Sequence, residues 1–287
     1  MDILSLQAFI AVARYESFSK ASERLFVTQP AVSKRVAGLE EELGMRLFNR
    51  INRQISLTEA GKRLLPKAQE LVNQAADMQR FATNLNEDIA GVLSISVSHH
   101  IALHRMPPLL REFNLRHSKV ELDIHFEDSE QAFHAVEQGD IEFAAITLPL
   151  ELPANLIADI AWQDDLEIVV GLEHPLANHK KVDLSVLAEY SCVLPGVETE
   201  TYQIIQREFE TLGLSSKMQM STSNLQSLKM LVVAGIGWSL LPKTMLDKQL
   251  HTLDCNRTLS RNLGVVAHKK RSLSNAAQAM RQLFLDN

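Results

Sequence analysis

Several things are scarce in this chain of 287 residues. It has two cysteines, Cys192 and Cys255, too few for a disulfide framework and without metal-ligand spacing, so both read as ordinary thiols of a reducing compartment. It has no excess of positive charge: 29 Lys plus Arg face 35 Asp plus Glu, a net −6, the opposite of a uniformly basic nucleic-acid binder. It has no long apolar run either. The longest stretch, residues 230–241, is too short for a bilayer and is broken by Gly235, Gly237 and Ser239. The first residues carry Asp2 and Glu16, with no basic leader and no small-residue cleavage site, which argues against a signal peptide. A cytoplasmic protein with no membrane partner is expected.

What is present is a globular composition, 46% apolar and 22% charged, which excludes disorder and suits one large or two modest domains. The charge is unevenly shared. Residues 1–90 hold 12 basic and 11 acidic side chains, leaving 17 and 24 for residues 91–287, where all ten histidines also lie. Two functional units follow, and any DNA binding by the first must come from where its charges sit.

In the first unit, Leu6, Phe9, Ile10 and Ala13 repeat at helical spacing. Ser19 is expected to cap a short second helix, with Glu23 in its first turn. Phe26 and Val27 make a tight turn. Thr28 then caps a third helix with Pro30 in its first turn, a stripe of Val32, Val36, Leu39 and Leu43, and Gly44 as its stop. This is a helix-turn-helix pattern. The face opposite the stripe, Gln29, Pro30, Ser33, Lys34 and Ala37, has no acid, while Glu40, Glu41 and Glu42 are held back at the far end. Gln29 can address an adenine edge, Ser33 a base or phosphate, and Lys34 and Arg35 phosphate or guanine. The segment LFNRINRQISLTEAG reads as two short strands with Arg50 and Arg53 at the tip, either a DNA-touching wing or a solvated turn.

The run FVTQPAVSKRVAGLEEELGMRLFNRINRQISLTEAG, with SFSKASERL before it, resembles the DNA-binding domain of LysR-type transcriptional regulators. The resemblance implies that Thr28, Gln29, Pro30, Ser33 and Lys34 line the recognition helix and that Arg50 and Arg53 belong to the wing of a domain over residues 1–60. Lys34 stands where the family commonly has arginine, a point charge in place of a planar fork.

Leu64, Ala68, Leu71, Ala75, Met78, Ala82 and Leu85 alternate steps of four and three. Such a heptad seam over a linker helix at residues 61–90 predicts a two-stranded helix pair and a dimer, which would also match a dyad operator in double-stranded DNA. The alternative is packing of the seam on the chain's own winged domain.

From Gly91 onward, strand-like and helix-like segments alternate, which predicts an α/β fold. One helix is expected through LHRMPPLLREFNLRH. EQGDIEFAAI, HPLA at 174–177 and VVAGIGWSLLP resemble the effector domain of the same family, with Glu142 where aspartate is usual. This implies a two-lobed periplasmic-binding-protein-like (type II) domain over residues 91–287, with crossovers near 147–162 and 265–268. Lobe I would comprise 91–162 and 266–287, and lobe II 163–265. It also implies a small effector in the cleft, tetramers, and RNA polymerase as a partner.

Ligands of open α/β sheets bind where strands end and helices begin. Ser98, His99, His100, Ser129, Thr147, Gly196, Thr199, Thr222, Ser223 and Asn224 meet that description, although each hydroxyl taken singly reads equally as an N-cap. They suit a small polar effector of unnamed identity, with no Lys or Arg among them and no cofactor. A protonated His99 or His100 would make affinity fall as pH rises. His100 and His104 lie four apart, but two ligands do not make a metal site. No GxSxG, phosphate loop or GxGxxG is present, which speaks against an enzyme. Besides a ligand-responsive regulator, an architectural DNA-binding dimer and a metal- or pH-responsive regulator stay open.

Overall fold

The computed structural model describes every residue except 52, 53, 86–88 and 180, and for residues 50, 51 and 54 the backbone alone. The chain divides into two units, Met1–Asn86 and Glu87–Asn287. The first contains helices α1 (Ile3–Tyr15), α2 (Phe18–Arg24) and α3 (Gln29–Leu43), the hairpin β1 (Phe48–Ile51) and β2 (Gln54–Leu57), and α4 (Glu59–Asn84).

Ser17, not Ser19, caps α2. Its backbone is extended and its Oγ accepts the Lys20 N–H at 3.2 Å. The helix starts at Phe18 because that ring enters the core, which leaves Ser19 inside the first turn and Glu23 near the helix end. Thr28 occupies the cap of α3 without a side-chain cap bond, and Gly44, at φ 66°, ends it. Between α2 and α3 the Val27 N–H donates to the Ser22 carbonyl (3.1 Å) and the Phe26 N–H to the Glu23 carbonyl (3.3 Å). These are the two bonds of a Schellman turn, and they hold Phe26 at φ 52°, a left-handed conformation that costs a non-glycine residue about 1 kcal/mol.

Leu6, Phe9, Val12, Val32, Val36 and Leu39 pack with Leu47 and Phe48 of the hairpin. The Phe48 ring meets Phe9 and Phe18 edge-on at 5.5 and 6.0 Å. The first turns of α4 belong to this core as well. Thr58 fixes their start, accepting from the Gly61 N–H and donating to the Arg46 carbonyl, and Ala68 is buried with Leu64, Leu65 and Val72 packed around it. This corrects the expectation of one continuous intermolecular seam: Leu64 and Ala68 are committed to their own chain. Further along, Leu71 (41%), Met78 (74%), Phe81 (61%) and Leu85 (72%) are exposed, with Ala75 half-buried and Ala82 exposed.

The second unit begins with β3 (Gly91–Ser98), α5 (His99–His104), α6 (Met106–Arg116), β4 (Val120–Glu127), α7 (Ser129–Gln138) and β5 (Phe143–Thr147). It continues with β6 (Leu156–Gly171), α8 (Leu184–Leu187), β7 (Ser191–Leu194), α9 (Glu200–Thr211), β8 (Lys217–Ser221) and α10 (Leu225–Val233). It closes with β9 (Ser239–Pro242), β10 (Leu250–Leu253), β11 (Leu259–His268) and α11 (Asn275–Leu285). The single helix expected after β3 is two, because Pro107 and Pro108 have no N–H to continue it and sit instead in the first turn of α6.

Strand β3 pairs in parallel with β4 and β5, and β5 runs antiparallel to β11. The long strands β6 and β11 pair antiparallel from Leu156 opposite His268 to Leu166 opposite Leu259, and β6 then continues to β9 and β10. These two strands join two cores. One is built on Leu93, Ile95, Val97, Phe113, Phe143 and Phe284, the other on Leu166, Leu194, Phe209, Trp238 and Leu240. Leu259 belongs to the second and Leu263 to the first, so β11 crosses earlier than the expected 265–268. Leu263, Val265 and Ala267 alternate onto one face and enter the first core together. The register slips between Leu263 and Gly264, where a Cβ on Gly264 would strike the Asp159 carbonyl oxygen.

Candidate functional site

The two candidate surfaces lie in different units. In the first, α3 turns Val32, Val36 and Leu39 inward and leaves Thr28, Gln29, Pro30 and Lys34 exposed, with Ser33 and Arg35 half-buried. The Gln29 amide donates to Ser33 Oγ at 2.9 Å, so the two side chains present one polar edge. Arg50 lies in β1 with its backbone opposite Ile55, its side chain outside the described atoms, and Arg53 lies outside the described residues. Glu40 does more than keep clear of phosphates. Its buried carboxylate accepts the Leu47 and Phe48 N–H groups at 2.7 and 3.2 Å, pinning the hairpin to α3. Glu40→Ala is expected to cost about 2–3 kcal/mol by stranding those donors. A urea midpoint equal to that of the wild type would contradict the pinning role.

In the second unit, the ends of β3, β4 and β5 and the starts of α7, α9 and α10 face one cleft of about 680 Å³, open mouth included. Ser98, His99, His100, Ser129, Thr147, Thr199, Ser223 and Asn224 line it, as strand-end reasoning expects. Gly196 and Thr222 do not. Their part is to build the turns beneath: the Gly196 carbonyl accepts the Thr199 N–H and hydroxyl, and Thr222 Oγ1 accepts the Asn224 N–H. Thr199 and Asn224 are also true N-caps, accepting from the Tyr202 and Ser227 N–H groups.

The cleft also holds a cation that strand-end reasoning missed. Arg261, on β11, is buried directly opposite Asp164 of β6 in the strand register. Its Nε and Nη2 each lie 2.9 Å from Asp164 Oδ2, Nε as an aligned hydrogen bond, and its Nη1 donates to Thr201 Oγ1 at 2.7 Å. His100 Nε2 approaches the same carboxylate oxygen at 3.4 Å, and the His104 ring centre lies 4.8 Å from that of His100. The expectation of no arginine at the site is therefore wrong. Ser98 Oγ, both His100 ring nitrogens and Arg261 Nη2 are buried without an aligned hydrogen-bond partner. The one sequence signal was a charged residue inside a strand segment, with Ser260 and Asn262 on either side of it. Among the described residues, no group of three or more His, Cys, Asp or Glu is placed to hold a metal ion.

Burial, opposed by Asp164 and reinforced by Arg261 and Arg105, holds the His100 imidazole below its ordinary value. Burial and the neighbouring His100 do the same to His104. Burial works to raise Asp164, but His100 and the Arg261 guanidinium outweigh it and keep the carboxylate low. Burial raises Glu130, with Asp128 and Glu198 adding to it. This disfavours a charged His100, one of the two histidines, with His99, on which an effector affinity that falls with rising pH was expected to rest. The unfolded chain instead binds protons on these histidines before the folded one does. Their neutral forms confer full stability above the ordinary imidazole value of roughly 6.5, and that contribution drains away as pH falls through the lowered folded values. The melting temperature is expected to drop as pH falls below about 6.5, and His100→Gln to flatten the drop. An identical pH profile in the variant would contradict this.

Cys192 and Cys255 are both buried, with thiols pushed up to about 11 by burial, so neither supplies a reactive thiolate. Among the described residues, no helix is long and apolar enough to cross a membrane.

The chain matches the family model of the LysR substrate binding domain over residues 86–287 and that of the bacterial regulatory helix-turn-helix protein, lysR family, over residues 3–62. The RuBisCO operon transcriptional regulator of Allochromatium vinosum is 28% identical over 293 residues, spanning 99% of this chain and 96% of that protein. A full-length OxyR variant from Pseudomonas aeruginosa shares the fold at a TM-score of 0.71 and 20% identity, covering 99% of this chain and 94% of its own. The effector-binding domain of QuiR in complex with shikimate superposes at 0.63 and 18% identity over 69% of this chain and 97% of its own. With the helix-turn-helix unit and the two-lobed unit each matched in turn, the chain belongs to the LysR family of DNA-binding transcriptional regulators and is not an enzyme.

Proposed function

We propose that this regulator works in the cytoplasm as a dimer on a two-fold symmetric DNA site and responds to a small, acceptor-rich effector held between the lobes of its second unit. The effector half rests on one observation: Ser98 Oγ and the His100 nitrogens line the cleft, in residues more than nine-tenths buried, with no aligned hydrogen-bond partner. Buried polar atoms left unbonded are costly, and a ligand that bonds them recovers that cost on binding. Arg261 Nη2 and the first N–H groups of α9 and α10 add to a donor-rich interior, which suits carboxylate, carbonyl or hydroxyl oxygens.

The DNA half rests on the acid-free exposed edge of α3, and the dimer on the exposed seam from Leu71 to Leu85. Selection from a random-sequence duplex pool with the full-length protein tests it. The recovered duplexes are expected to share a dyad motif and to lose affinity steeply with salt. Recovery of sequences no better bound than the starting pool would overturn the reading.

A further inference from the structure

Phe26 is 94% exposed, the most exposed large apolar side chain among the described residues. It occupies the left-handed position after α2, fixed by the two bonds of the Schellman turn, where glycine or asparagine is the favoured residue. A phenylalanine there accepts backbone strain and gains no packing in return. Both features work against the isolated unit, so the use of the ring lies outside the chain.

Its surroundings say what that use is. Leu25 and Val27 on either side pack against the core, so the turn is anchored while the ring between them stands in solvent. Thr28 and Gln29, exposed, follow at once and open α3. In helix-turn-helix docking, the N-terminal residues of the second helix are the ones that meet base edges. An aromatic ring at that end meets either a thymine methyl group or the apolar face of a deoxyribose.

We infer that Phe26 is a DNA-contact residue, packing its ring on the duplex beside the bases that Gln29 and Ser33 address. The inference rests on the reading that α3 enters the groove, and the test separates the two. Phe26→Asn is the informative variant, because asparagine accepts the left-handed backbone and removes the exposed ring. It is expected to melt no lower than the wild type, yet to bind a duplex recovered from the random pool about tenfold more weakly. Phe26→Trp should stay within about threefold of the wild type, since the contact needs an aromatic face rather than phenylalanine itself.

Replacing the thymines of the recovered duplex by deoxyuridine weakens wild-type binding, but not Phe26→Asn binding, if the ring meets a methyl group. It changes the binding of both equally or not at all if the ring meets the sugar, and either result supports the contact provided Phe26→Asn binds the parent duplex weakly. Wild-type affinity in a folded Phe26→Asn, with Gln29→Ala still weakened, would overturn the contact and leave the docking of α3 intact. Wild-type affinity in both variants would overturn both.

Discussion

Arg261→Ala is expected to destabilise the second unit by about 3–5 kcal/mol, the cost of leaving one half of a buried ion pair without the other. Asp164 is 2% exposed and Arg261 6%, they face each other across the β6–β11 register, and Thr201 takes another of the arginine's N–H groups. Without the guanidinium, the Asp164 charge loses its cationic partner and keeps the His100 ring beside it at 3.4 Å. Replacing both partners together, Asp164→Leu with Arg261→Met, is expected to recover most of the loss, because two apolar side chains of similar reach fill the space without a charge to solvate. Urea midpoints of the wild type and both variants decide the matter. An Arg261→Ala variant as stable as the wild type would mean that the pair does not hold the crossover strands.

Paired substitution of Leu71 and Met78 by aspartate is expected to convert the protein to a monomer and to weaken operator binding by about a hundredfold or more. Both side chains are exposed on α4, past the point at which Ala68 is covered by its own unit. Phe81 adds to the same open surface. Opposed carboxylates on a two-stranded seam repel and cannot be buried. Losing the dimer also loses the gain of engaging two half-sites at once, which is worth roughly 10²–10⁴ in avidity. Sedimentation velocity reads the first effect and fluorescence anisotropy the second. An unchanged sedimentation profile would contradict the seam as the dimer contact.

Much of the fold was legible because helical and strand periods are local. The stripe of α3, the cap at Thr28 and the stop at Gly44 follow from spacing and residue type, and so do the strand ends that supply Ser98, Ser129 and Thr147 to the cleft. Arg261 and Asp164 were not legible, because they are 97 residues apart and only the antiparallel pairing of two crossover strands brings them together. The heptad spacing is identical along α4, so it could not show that Leu64 and Ala68 face their own core while Met78 faces outward. Ser17 and Ser19 are both good caps by residue type, and the choice between them was made by where Phe18 enters the core. Phe26 carried no signal at all, since the meaning of an aromatic in a turn depends on whether its ring is covered.

The claim at the centre is that the cleft between the lobes holds a small polar molecule by the buried polar groups of Ser98 and His100. A thermal-shift screen of small carboxylates, sugars and hydroxylated acids, run in parallel on the wild type and on a Ser98→Ala, His100→Leu pair that removes those groups, tests it most directly. At least one compound is expected to raise the melting temperature of the wild type by several degrees and to leave the double variant unmoved. A wild type that no compound stabilises, or stabilisation equal in both proteins, would contradict it.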